Sequence, residues 1–241
     1  MAIHTHEPRG LREAIVGAIL RKMLQGLLKP VFSPRFSIGT QRRWLERLSA
    51  LSIPPRGVSI EPGTVAGVPG EWLRARDHAA VRGTFLYLHG GAYCVGSPRT
   101  HRPLTGRLAK LTGLPVFSAD YRLAPEHKFP TALNDSLDAV QWLATQGAAH
   151  GLDIHCFSVA GDSVGGSMAA VLAILAAHEP EKMPLALLQQ ILIYPVTDAA
   201  VRYPSHQRFG IGHLLERTPG RWIEKPFEFD ALVELLARMG G

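Results

Sequence analysis

Apolar residues at Leu11, Ala14, Ile15, Ala18, Ile19, Leu24, Leu27 and Leu28 fall at helical spacing, with Arg12, Arg21, Lys22 and Lys29 between them. That periodicity predicts an amphipathic helix. A second, shorter helix is expected over Thr40 to Leu51, stopping before Ile53-Pro54-Pro55, because a residue ahead of proline is pushed out of the helical region. From Val58 the pattern changes to short apolar runs punctuated by glycine and proline, which predicts strands around Val58 to Glu61, Gly70 to Arg76 and Gly83 to Leu88. Further strands are expected at Leu114 to Ala119, Ile154 to Ala160 and Leu185 to Tyr194. Helices are expected over Thr100 to Leu111, over Thr131 to Ala144, and in the small-residue run that follows Ser163. Phe229, Leu232, Val233, Leu236 and Met239 predict one more, from Pro226 to Met239. Strands alternating with helices imply an α/β fold with a mainly parallel sheet covered on both faces.

Composition narrows the class without changing that picture. At 241 residues, 46% hydrophobic and 19% charged, the chain can bury the core of one large α/β domain. The net charge of +6 is uneven: residues 1–56 hold ten Lys/Arg against three Glu, +7, which leaves −1 for the rest. No aromatic platform or nucleic-acid motif accompanies the basic segment, so it reads as a solvated helical face and no nucleic-acid partner is expected. Charges interrupt the first helix too often for a signal peptide, and it is too short and too charged to span a bilayer, so no integral membrane segment is expected. Two isolated cysteines, Cys94 and Cys156, fit a reducing cytoplasm better than a disulfide framework, and their spacing suggests no metal. No cofactor is expected.

The chemistry concentrates in Gly161-Asp162-Ser163-Val164-Gly165-Gly166, between an apolar strand and a small-residue helix. A strand, a tight turn and a helix would put Ser163 at the apex in strained geometry, with glycines leaving room for the chain to fold back. The helix starting there aims free N–H groups at whatever sits above the serine. Upstream, the strand ending at Leu88 runs into His89-Gly90-Gly91-Ala92-Tyr93, a loop able to turn backbone N–H groups toward one point. Those of Gly90 and Gly91, with that of Val164, are expected to form an oxyanion hole.

These stretches, together with Asp120-Tyr121-Arg122-Leu123-Ala124-Pro125-Glu126-His127-Lys128-Phe129-Pro130 and Tyr194-Pro195-Val196-Thr197-Asp198, resemble the hormone-sensitive-lipase-like branch of the α/β-hydrolases, which includes many bacterial esterases. The resemblance runs from the N-terminus to about Leu215. It implies cap helices over residues 1–56, an α/β-hydrolase core over 57–198, and a partial cap segment with a divergent tail over 199–241. It implies a carboxylic-ester hydrolase for short-chain acyl esters, with Ser163 as nucleophile, His89 orienting the oxyanion loop and Asp162 fixing the turn.

Serine hydrolysis also needs a base and a carboxylate that orients it, and in this fold both follow the serine in the chain. The family's Asp-Pro-Leu-type and His-Gly-Phe-type motifs are absent, so acid and base are unassigned and impaired activity is expected. His178 lies at the far end of the helix after Ser163, roughly 20 Å away at ~1.5 Å per residue, too far for proton transfer. His206 and His213 follow Tyr203-Pro204-Ser205 and are weak candidates for the base. The stretch from Glu216 to Gly241 has no family counterpart, which fits either a frameshift or deletion or a variant that does not need the triad. The alternative function is a small-molecule-binding homologue without catalysis, as in the family's plant hormone receptors. If the family's last strands are missing, the strand from Leu187 to Tyr194 becomes a sheet edge, which predicts a homodimer through that edge or aggregation.

Overall fold

The computed structural model describes residues 10–23, 26–27, 35–53, 55–76 and 83–197. Asp198, His206, His213 and the helix expected over 226–239 lie outside the described residues. Two compact units divide the described chain, one ending at Trp44 and the other running from Leu45.

In the first unit the expected amphipathic helix is α1, Leu11–Met23. Its apolar side chains Leu11, Ile15, Ile19 and Met23, four residues apart on one face, are all exposed. The second predicted helix is α2, Ile38–Ser49, which ends ahead of the proline pair as expected.

The second unit is built on six strands: β1 Val58–Val65, β2 Val68–Ala75, β3 Thr84–Leu88, β4 Val116–Ala119, β5 Phe157–Asp162 and β6 Leu187–Ile193. They lie in the order β1-β2-β4-β3-β5-β6. The four strands from β4 to β6 are mutually parallel, whereas β2 runs antiparallel to both β1 and β4. The sheet is therefore mixed, and its antiparallel end comes from the tight Ala66-Gly67 turn, both residues at positive φ, which folds β2 straight back on β1.

Alternation along β3 sends its side chains to two cores. Leu86 and Leu88 join Phe117, Phe157, Val159 and Met168 on the face covered by α4, Thr131–Gln146, and α5, Val164–His178. Phe85 and Tyr87 point the other way, to Leu73, Val116 and Ala109 of α3, Pro98–Thr112. Each such side chain, fully buried, stabilises the fold by roughly 1.5–3 kcal/mol. The sheet is thus covered on both faces. The start of α3 is fixed by a reciprocal cap: Ser97 Oγ accepts from Thr100 N at 3.3 Å, and Thr100 Oγ1 accepts from Ser97 N at 3.0 Å. Gly113, at φ 72°, ends it.

Register places the site. Leu88 lies opposite Ala119 and Gly161, and Asp162 opposite Ile193, so the carboxyl ends of four parallel strands come level. The turns beyond those ends carry His89 to Tyr93, Asp120 to Pro130, Ser163, and Tyr194 to Val196. Crevices at the carboxyl ends of parallel strands are where open α/β sheets take their ligands. At the other side, β6 has no further strand against it among the described residues, and Leu188, Gln189 and Gln190 are exposed.

Candidate active site

Ser163 stands between β5 and α5 at φ 52°, ψ −120°, a left-handed-side conformation that strains a residue with a Cβ and persists only where its surroundings enforce it. The enforcement is visible. Ser163 N donates to Ile193 O at 2.9 Å, Ser167 N returns to Ser163 O at 3.0 Å, and Ser167 Oγ reaches Val196 O at 2.7 Å. The glycines around it are required by approach rather than by φ. A Cβ on Gly161 or Gly165 would overlap backbone, meeting Leu88 O at 2.7 Å from the first and His89 O at 2.7 Å from the second. The start of α5 therefore lies directly against the end of β3, and Val164 comes to the loop that follows β3. Tyr93 Oη, on that loop, lies 3.4 Å from Val164 O.

In the loop, Gly91, Ala92 and Tyr93 all have positive φ, at 122°, 53° and 62°. Successive residues of this kind turn their N–H groups toward a common concavity. Gly90 does not share that role. Its N–H donates to Asp162 Oδ1 at 2.9 Å, which corrects the expectation of Gly90 as an oxyanion donor: a carboxylate already holds the hydrogen. Among the described residues, the N–H groups of Gly91, Ala92 and Val164 have no hydrogen-bond acceptor.

Asp162 is the hub beneath this arrangement. Tyr87 Oη donates to its Oδ1 at 2.7 Å, Tyr194 Oη to its Oδ2 at 3.2 Å, and His101 Nε2 lies 3.5 Å from Oδ1. Burial acts to raise the Asp162 carboxyl, but His101, Tyr87 and Gly90 outweigh it and hold the group down at about 2. His89 is fully buried, with Nδ1 2.7 Å from Gly90 O, so Nδ1 carries the hydrogen and Nε2 is left without a partner among the described residues. Burial first, then the neighbouring His101, lowers His89 to about 3 and keeps it neutral. Its ring is stacked between Tyr121, at 4.3 Å, and His101, at 5.3 Å, and Tyr121 Oη donates to His89 O at 2.5 Å. The Tyr121 to Pro130 loop is anchored in turn by Asp135, which accepts from Arg122 N at 2.9 Å and pairs with its guanidinium at 2.6 Å.

The structure places Ser163, Val164, Gly91, His89 and Asp162 at the same carboxyl end of the sheet. Sequence reasoning missed Ala92 and His101. Nothing in an alanine hints at positive φ, and nothing local to His101 signals its approach to Asp162. No imidazole is hydrogen-bonded to Ser163 Oγ among the described residues.

Residues 85–228 match the family model described as the alpha/beta hydrolase fold. The chain belongs to the α/β-hydrolase fold family. It is 47% identical over 151 residues to an ethyl acetate hydrolase of Pseudomonas putida, a match covering 63% of this chain and 47% of that protein. With the carboxylesterase NlhH of Mycobacterium tuberculosis it shares 36% identity over 173 residues, 71% of this chain and 52% of that one. Among solved structures, a thermostable esterase from Pseudomonas putida superposes with a TM-score of 0.71 at 31% identity, covering 81% of this chain and 63% of that chain. An esterase of the bacterial hormone-sensitive lipase family gives 0.56 at 36% identity, over 66% and 53% of the two chains. The family's resemblance to this chain therefore lies in the hormone-sensitive-lipase-like branch. The chain spans about half the length of the relatives it matches. Among the described residues, no helix is long and apolar enough to cross a membrane, and neither Cys94 nor Cys156 is in a disulfide.

Proposed function

We propose that this α/β-hydrolase chain cleaves short-chain carboxylic esters through Ser163, with the N–H groups of Gly91, Ala92 and Val164 stabilising the oxyanion. The observation that carries the reading is the strained Ser163 at the head of α5, packed against the end of β3, where the following loop has positive φ at Gly91 and Ala92. A serine presented this way needs little reorganisation as negative charge develops on the carbonyl oxygen. The sequence after Ser163 carries neither of the family's motifs for acid and base, and on that ground low turnover is expected. A site lacking a triad member retains on the order of 10³–10⁴-fold catalysis over water from its oxyanion donors and binding.

Residues 1–56 serve as cap helices, 57–198 as the hydrolase core and 199–241 as a partial cap segment with a divergent tail, in a cytoplasmic protein. Acyl chains of about two to six carbons fit best, because a partial cap cannot enclose a long chain and each CH₂ that is buried contributes only ~0.8 kcal/mol. Two copies associate through the uncharged edge of β6.

Hydrolysis of p-nitrophenyl acetate, butyrate and decanoate by wild type and Ser163→Ala tests the reading. Slow turnover, fastest on the short esters and lost in the variant, supports it. Equal rates for both proteins overturn it in favour of a non-catalytic binding homologue.

A further inference from the structure

His101 has no part in the proposed hydrolysis, yet it touches Asp162, the acceptor of the bond that holds Gly90, and His89, the residue immediately before Gly90. It sits in the first turns of α3, where Nδ1 lies 2.8 Å from Thr100 Oγ1 and 3.1 Å from Ser97 O, so the helix cap itself sets the ring's orientation. Nε2 then faces Asp162 Oδ1 at 3.5 Å, the same oxygen that accepts the Gly90 N–H. An ionised carboxylate only accepts, so Nε2 carries a hydrogen toward it. The face of the same ring stacks on His89, the residue immediately before Gly90, at 5.3 Å and 27° between planes.

We propose that His101 is a positioning residue for the oxyanion loop. Through Nε2 it holds the Asp162 carboxylate where Gly90 N–H meets it, and through its ring it holds His89. The loop is thereby pinned at two successive residues, and Gly91 and Ala92 follow with their N–H groups fixed toward Ser163. Of the other groups around Asp162, Tyr87 and Tyr194 bind the carboxylate but stack on no loop residue in the same way. Tyr87 approaches the His101 ring at 6.2 Å, completing the wall on that side. His101 alone links the cap of α3, the turn at Asp162 and the loop at His89 among the described residues.

The kinetic consequence of this inference rests on the proposed ester hydrolysis, but the clamp is a property of the fold and can be read without turnover. Amide hydrogen exchange of ¹⁵N-labelled wild type, His101→Leu and His101→Gln reports the Gly90 N–H directly, with Leu86 in β3 as reference. Loss of one charge-assisted contact is expected to speed Gly90 exchange in His101→Leu about tenfold, with Leu86 unchanged, and His101→Gln, which keeps a donor, restores it to within about threefold. In p-nitrophenyl butyrate hydrolysis the same loosening lowers kcat about tenfold in His101→Leu and leaves KM within about twofold, because the oxyanion exists only beyond the ground state. Unchanged Gly90 exchange in His101→Leu, or Gly90 and Leu86 accelerating together, overturns the proposal by showing a structural role alone. Equal hydrolysis by wild type and Ser163→Ala would sink the hydrolase reading by itself, and the exchange comparison would still decide the clamp.

Discussion

Replacing Gly165 by alanine isolates the close approach on which the site's geometry depends. Gly165 is the second residue of α5, with no positive φ, so alanine is compatible with its backbone and gains about 0.8–1 kcal/mol of helix propensity. Against this stands the space: its Cβ would lie 2.6 Å from Leu88 C and 2.7 Å from His89 O, and closer still to Leu88 O. These are backbone atoms. Leu88 is held in the sheet from both sides, opposite Ala119 and opposite Gly161, so it cannot withdraw without disturbing two ladders. Overpacking typically costs about 1–3 kcal/mol, and an unyielding neighbour puts this case at the upper end. Net destabilisation of about 2 kcal/mol is expected, which for a chain of this size lowers Tm by roughly 4–8 °C. Gly17, inside α1 with nothing within 4 Å of its Cβ, is the control. There the same substitution brings only the propensity gain, about 1 kcal/mol at most. Thermal and urea unfolding followed by far-UV circular dichroism measure both. A Gly165→Ala protein with an unchanged or raised midpoint would refute the claim that β3 and α5 are in rigid contact.

Acid unfolding should show two windows. His89 is held at about 3 against an ordinary 6.5, so the stability from its neutral form is complete above pH 6.5 and lost as pH falls toward 3. Asp162, at about 2 against 3.8, contributes about 2 kcal/mol that is complete above pH 3.8 and lost as pH falls through 2. Urea titrations across pH 2–8 should lose only the upper window in His89→Gln and only the lower one in Asp162→Asn. Association through β6 is expected to give a dimer in light scattering at tens of micromolar, converted to monomer by Leu188→Lys on its exposed face; a wild-type monomer at that concentration would count against the edge.

What the sequence made legible follows from how local each feature's cause is. The buried run Thr84 to Leu88 and the serine turn announce themselves within a few residues, and the helix expected over Thr100 to Leu111 is found at Pro98–Thr112, its Ser97 cap starting it two residues earlier. Strand direction at β1 and β2 is different. Apolar runs carry no arrow, and only the Ala66-Gly67 reversal makes that end antiparallel. The Gly90 assignment failed for a related reason. A glycine after a strand signals freedom of the backbone, but where its N–H points depends on Asp162, 72 residues away. His101 was illegible for the same cause, since its relation to Asp162 exists only once α3 covers the sheet.

The placement of Asp162 poses an electrostatic problem whose solution accounts for its surroundings. A carboxylate immediately before Ser163 sits close to where ester cleavage would develop negative charge, and in a site shielded from water an uncompensated charge there would oppose the reaction. Protonating it would remove the repulsion but also the acceptor that fixes Gly90. Instead the charge is retained and satisfied locally: Tyr87, Tyr194, Gly90 and His101 direct hydrogens at it from four different elements, and it lies beside the positive end of α5. With its field spent on those donors, the carboxylate anchors the loop and, in the proposed hydrolysis, would not repel the oxyanion. The N–H groups of Gly91, Ala92 and Val164, which have no acceptor among the described residues, are then left for the oxyanion that the proposed reaction would form. Neutral His89 fits the same logic, since a second charge under the loop would compete for Asp162 and weaken its hold on Gly90.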